Sequence, residues 1–175
     1  MAAKSVSCIA RTTAQADEIV SQLQLASFPP ENVSVLMPDR QGTRDFAHEH
    51  HTKAPEGAAA GGAVAGVVGG ALGWLVGIGA LAIPGLGPFI AAGPILAAMS
   101  GAAAGAVTGG VAGGLIGLGI PELEAKRYEG KIKNGNILLA VHVRDSREKG
   151  LVKDIFERAH AEDISSTSEA SVPNN

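Results

Sequence analysis

The stretch GAAAGGAVAGVVGGALGWLVGIGALAIPGLGPFIAAGPILAAMSGAAAGAVTGGVAGGLIGLGI, Gly57 to Ile120, runs for 64 residues without one Asp, Glu, Lys, Arg or His. It has no Asn or Gln, and Ser100 and Thr108 are its only hydroxyl residues. Twenty of the chain's 24 glycines lie in it, so the glycine excess is local. All the Asp, Glu, Lys and Arg residues lie in the two flanks. The 175-residue chain is therefore two polar pieces with an apolar block between them.

A helix needs about 20 apolar residues to cross about 30 Å of hydrocarbon. Gly57 to Ile83 supplies 27 residues, about 40 Å as helix. Pro84-Gly85-Leu86-Gly87-Pro88 reads as a turn. A second span runs from Phe89 or Pro94 to Gly119. From Ala58 to Ile83 there are nine Val, Leu or Ile residues besides Trp74. They favour insertion by about 3 to 5 kcal/mol. A soluble assembly that buries the helices against one another is the other way to hide the block from water.

The glycine spacing predicts close helix packing. Gly101, Gly105, Gly109, Gly113 and Gly117 are four apart, as are Gly62, Gly66 and Gly70, and Gly69, Gly73 and Gly77. Residues four apart share a helix face. Bare glycine lets backbones approach closely enough for van der Waals contact in lipid. Such rows close a hairpin on itself or drive self-association.

The flanks read as one split α/β domain. Lys4 to Ala10 alternates as a strand, with Val6, Cys8 and Ala10 on one face. Thr12 and Gln15 form a helix-start pair, and Ile19, Val20, Leu23 and Ala26 follow at helical spacing. Phe28-Pro29-Pro30 stops that helix, and Asn32 to Met37 alternates as a second strand. After the block, Pro121 opens a helix whose candidate inner stripe is Leu123, Arg127, Tyr128 and Ile132, with Gly135 at its end. Ile137 to Val143 is the strongest strand, and its centre is apolar on both faces, as a central strand covered on two sides should be. Asp145 and Glu148 start a last helix carrying Leu151, Val152, Ile155, Phe156 and Ala159. Asp163 to Glu169 is a candidate fourth strand at the edge.

The expected class is α+β: a small ferredoxin-like α/β sandwich, β-α-β then α-β-α with a fourth edge strand, interrupted by a glycine-zipper helical hairpin. Its pieces are 1–38, a polar linker 39–56, the hairpin 57–120 with its turn at 84–88, the second half 121–170, and a tail 171–175.

Composition narrows the function classes. Net charge is -3, which offers no polyanion surface, so no nucleic-acid partner is expected. One cysteine, Cys8, excludes an intramolecular disulfide and a thiolate cage. There is no GxxxxGK[ST], no GxGxxG after a strand and no GxSxG. No catalytic residue, cofactor or small-molecule substrate is assigned. His48, His50 and His51, beside Glu49 and Asp45, are the only cluster with ligand chemistry; their spacing matches no closed metal site, and the plain reading is a polar linker. His142 and Cys8 read as packed strand residues. MAAKSVSCIA carries no apolar signal core, and no lipidation motif follows, so the polar part is expected in the cytoplasm. Lys and Arg lie in both flanks and none in the turn, which gives the same orientation.

Two segments, ALAIPGLGP (80–88) and GIPELEAKRYEGKIKNG (119–135), carry a resemblance that extends over residues 4–170. The chain resembles the bacterial low-temperature-induced and general-stress-protein family with a glycine-rich hydrophobic hairpin. The resemblance implies a membrane-associated protein and supplies no catalytic residues. The expected function is a non-enzymatic stress-response protein. Its cytoplasmic domain would be held at the inner membrane by a self-associating hairpin, with membrane lipid and further copies of itself as partners. The alternatives are a ligand- or subunit-binding module with a membrane anchor, an oligomeric pore, or a soluble assembly.

Overall fold

The computed structural model describes residues 4–39, 70–75, 78–83, 87–96, 110–117 and 119–168. The histidine cluster and most of the glycine rows lie outside these residues.

Strand β1 (Lys4–Ala10) leads into helix α1 (Thr13–Leu25). Thr12 caps it by accepting from Gln15 N at 3.1 Å, while Gln15 Oε1 accepts from Arg11 N at 2.8 Å. A 3-10 turn (Pro30–Asn32) precedes β2 (Val33–Pro38). A second 3-10 segment (Gly70–Trp74), strands β3 (Gly79–Ile83) and β4 (Gly87–Ala92), and helix α2 (Gly110–Gly117) come from the apolar block. Helix α3 (Glu122–Lys133), strand β5 (Ile137–Val143), helix α4 (Ser146–Arg158) and strand β6 (Glu162–Ser168) complete the order. Asp145 caps α4 as its spacing to Glu148 predicts, accepting from Glu148 N at 2.8 Å. The helices α1 to α4 each end through a residue in the left-handed region: Ser27, Gly119, Gly135 and His160. The N–H of the next residue returns to the last turn, as from Phe28 to Leu23 O and from Ala161 to Phe156 O.

The fold is α+β. The strands form one sheet in the order β3-β4-β2-β5-β1-β6, with every neighbouring pair antiparallel. Helices α1 and α4 cover one face through Val6, Cys8, Ile19, Leu23, Leu139 and Phe156. Helices α2 and α3 cover the other through Ile9, Leu36, Leu115, Tyr128, Ile132 and Leu138. The molecule is thus three layers deep, with β5 at its centre.

The block departs from the expected two-helix hairpin. Residues 79–83 and 87–92 are strands that extend the sheet past β2. Phe89 and Ala91 face one core while Ile90 and Ala92 face the other. A strand buried on both faces reads as an unbroken apolar run, which periodicity cannot separate from a buried helix. Open backbone along the edge of β2 decides for the strand. The proposed boundary at 57–120 is also crossed by both cores, since Leu72, Leu75, Phe89, Ile95 and Leu115 pack with flank residues. Gly110 has φ +50°, so no regular right-handed helix runs through it. No helix among the described residues is long and apolar enough to cross a membrane.

The inner stripe of α3 is also corrected. Leu123 is 75% exposed and Arg127 is exposed, while Ala125, Tyr128 and Ile132 are buried. The helix is phased on its one aromatic residue, and that phase turns Glu124 toward β6.

Candidate functional site

Two surfaces stand out, one polar and one apolar. The polar one lies on the sheet face under α3. Strand alternation puts Ser5 and Ser7 on the side of β1 opposite Val6 and Cys8, and His142 on the side of β5 opposite Val141 and Val143. Ser34 of β2, Ser165 and Thr167 of β6 join the same face through the strand register. Ser5 is paired with His142 on one side and Thr167 on the other. The result is two rows of hydroxyl and imidazole groups beside an apolar row of Leu36, Leu138 and Ile9.

Most of these groups are satisfied. Ser5 Oγ and Thr167 Oγ1 are 2.7 Å apart. Ile95 N donates to Ser34 Oγ at 3.3 Å. Ser165 Oγ donates to Glu124 Oε2 at 2.6 Å. The Tyr128 hydroxyl shares its proton between the Asp163 carbonyl at 2.8 Å and Ser165 Oγ at 3.1 Å. Burial pushes that hydroxyl up to about 12, against the hydrogen bond with Ser165. His142 is the exception: its Nδ1 is buried without a hydrogen-bond partner. Burial holds the imidazole below its ordinary pKa, so it is neutral near pH 7. Its register neighbour Ser5 is engaged with Thr167, at 2.7 Å. A neutral imidazole there can accept or donate a hydrogen bond.

At the edge of this surface, Glu162 binds Arg11 and, at 3.0 Å, Lys131. Asp163 Oδ2 has no hydrogen bond, yet Lys131 Nζ lies 3.7 Å away and supplies Coulomb attraction. These ion pairs tie β6 to α3 and to the start of α1.

The apolar surface belongs to α2. Val111, Ala112, Gly114 and Leu115 are buried against α3 and the sheet. Glu129 of α3 accepts from Ala112 N at 3.0 Å and fixes the start of the helix. Its hydrogen bond with Lys133 holds the carboxyl below the usual range. On the other side Ile116 is 44% exposed, and a Cβ at Gly113 or Gly117 would meet nothing within 4 Å.

Of the expected packing glycines, Gly113 and Gly117 lie in α2, one turn apart. Gly70 lies in a 3-10 segment. At three residues per turn, positions four apart no longer align there. Gly62, Gly66, Gly101, Gly105 and Gly109, and the weak metal candidates His48, His50 and His51, lie outside the described residues. Among the described residues no group of three or more His, Cys, Asp or Glu is placed to hold a metal. Cys8 is fully buried and its thiol is pushed up by that burial. A pocket between Met37, Leu72, Leu75, Ile78 and Ile90 is apolar and has room for roughly one water.

The polar rows were missed in the sequence because each strand contributes only one or two residues. The available signal was Ser5 and Ser7, and Ser165 and Thr167, at period two within strands. No family model, curated protein or solved structure matches the chain.

Proposed function

We propose that this chain is a non-enzymatic, membrane-associated bacterial stress-response protein. Its α/β part faces the cytoplasm at the inner membrane, and its apolar block supplies lipid contact and self-association. The observation that carries this reading is the outer side of α2. Gly113, Ile116 and Gly117 form a charge-free face with open space over both glycines, and uncharged sequence continues on either side. Such a face is covered in use by lipid or by another helix. The physiological setting, stress, rests on the family resemblance alone. The finer fold reading belongs to the same proposal. The strand order β2-β5-β1-β6 with α1 and α4 on one face supports a ferredoxin-like core, into which β3, β4, α2 and α3 are inserted.

Fractionation of the expressed chain tests the membrane part. Retention in membranes through carbonate and urea washes, with release by mild detergent, is the expected result. Recovery in the soluble fraction contradicts it. The self-association part is tested by Gly113→Leu with Gly117→Leu. A Cβ at either position meets nothing within 4 Å in one copy, so the substitutions are aimed at the close approach of a second helix. An unchanged oligomer size after detergent extraction would refute the glycine contact. A second reading, a ligand-binding module with the same anchor, is favoured by the unpartnered Nδ1 of His142. It requires a ligand that raises the melting temperature of wild type but not of His142→Gln.

A further inference from the structure

We propose that β6 is an interface strand. The outer edges of β6 in two copies of this chain pair antiparallel about a two-fold axis and join two sheets into one. This inference needs no lipid and no residue of the apolar block, so it goes beyond the reading above and does not rest on it.

Strand β6 (Glu162–Ser168) closes one end of the sheet, and among the described strands it pairs with β1 alone. Its outer side is a template for another strand, and proteins that stay apart blunt such an edge with Lys, Pro, a bulge or a cover. Here the blunting is confined to one end. The register against β1 shifts between Ser7 and Ile9, and Asp163 has φ +48°. From Ile164 to Ser168 there is no charge, no proline and no glycine. Ser165 to Ser168 run in regular register with β1.

The charges of the strand select the partner and the register. Glu162 is bound by Arg11 and, at 3.0 Å, by Lys131. Lys131 and Arg127 lie 3.7 and 3.9 Å from the Asp163 carboxylate. The acidic end is thus neutralised within one copy. Paired antiparallel about Ser165, all seven residues find an opposite in a second β6. Glu162 faces Ser168, Asp163 faces Thr167, Ile164 faces Ser166, and Ser165 faces itself. Like charges directly opposite one another are destabilising, and this register sets each acid against a hydroxyl residue. An axis at Asp163 would set the two Asp163 carboxylates against each other. An axis at Ser166 would leave both acids without an opposite residue in β6. A contact made by the same patch on both copies closes as a dimer.

Helix α3 supplies a second observation beside this edge. Glu124 is bonded to Ser165, and Arg127 reaches toward Asp163. Leu123 lies one turn before Arg127 on the same helix face. It is 75% exposed, an apolar side chain that one copy leaves in water. The two-fold axis at Ser165 exchanges the levels of Asp163 and Thr167. Leu123 of one copy is thereby set beside the aliphatic stem of Arg127 in the other, which covers it while the guanidinium stays in water.

The test uses the full chain in mild detergent. Ile164→Cys and Ser166→Cys are made in separate copies, each in a Cys8→Ala background that removes the single native cysteine. Opposite residues lie within about 5.5 Å and diagonal ones about 7–8 Å apart, and a disulfide does not span more than about 7 Å. Mixed and oxidised, the two variants are expected to cross-link to each other and neither to itself. No cross-link in the mixture, or cross-linking of Ser166→Cys with itself, would overturn the proposal. Sedimentation equilibrium supplies a second readout. The chain carrying Gly113→Leu and Gly117→Leu is expected to be a dimer. Adding Leu123→Lys, which sets a cation against Arg127 of the second copy, should raise its dissociation constant about tenfold. A monomeric glycine variant, or a dimer that Leu123→Lys leaves unchanged, would overturn the β6 contact while leaving the membrane reading intact. Recovery of a cross-linkable dimer from the soluble fraction would support the β6 contact and overturn the membrane reading instead.

Discussion

Leu115 and Ile116 are neighbours in α2, and the fold predicts very different costs for shortening them. Leu115 is fully buried between α3 and the sheet; Ile116 is 44% exposed. Leu115→Ala removes three buried carbons. Transfer alone costs roughly 2.4 kcal/mol, and the cavity left in a packed core brings the total to about 3 kcal/mol. Ile116→Ala removes carbons already half in water and leaves no enclosed cavity, so its cost is about 1 kcal/mol. The better helix propensity of alanine reduces that by a few tenths, to ~0.7 kcal/mol. For a chain of this length the melting temperature should fall by about 6 to 12 °C for Leu115→Ala and by about 2 °C for Ile116→Ala. The assay is urea unfolding followed by far-UV circular dichroism, with a thermal scan as the second measure. If α2 were part of a hairpin independent of the α+β fold, neither change would touch the unfolding of the flanks. Equal costs, or a Leu115→Ala cost below about 1 kcal/mol, would refute the packing of α2 into this core.

Two further predictions concern single side chains. The lowered pKa of His142 means the unfolded chain binds more protons than the folded one in acid, so its contribution is complete above about pH 6.5 and is lost as pH falls below that value. His142→Gln should flatten the fall of the urea midpoint on acidification; an unchanged slope would mean the ring is solvated. Asp17 Oδ1 accepts from Leu72 N at 3.0 Å and holds the segment that carries Trp74 onto α1. Asp17→Ala should cost about 1 kcal/mol and shift Trp74 emission to the red; wild-type emission and stability would show that this contact does not dock the segment.

The flanks were largely legible because their signals are local. Thr12 with Gln15 and Asp145 with Glu148 mark helix starts by side-chain chemistry alone, and both caps form. The apolar run ILLAVHV becomes the central strand β5, covered on both faces. The block was not legible in the same way. FIAA in β4 is apolar at every position because both of its faces are buried, and only the free edge of β2, a long-range feature, makes it a strand. The polar rows were hidden for a related reason: Ser5, His142 and Thr167 are far apart in sequence and become neighbours only through the order β5-β1-β6. Leu123 was misplaced because either of two phases fits α3, and tertiary packing selects the one that buries Ala125, Tyr128 and Ile132.

The central claim is that part of an uncharged, glycine-rich block completes the sheet of an α+β fold in water. Amide hydrogen exchange of the full chain in vesicle-free buffer tests it most directly. The account predicts that the amides of residues 89–92 are protected, together with those of β5. Rapid exchange at 89–92 beside a protected β5 would contradict it.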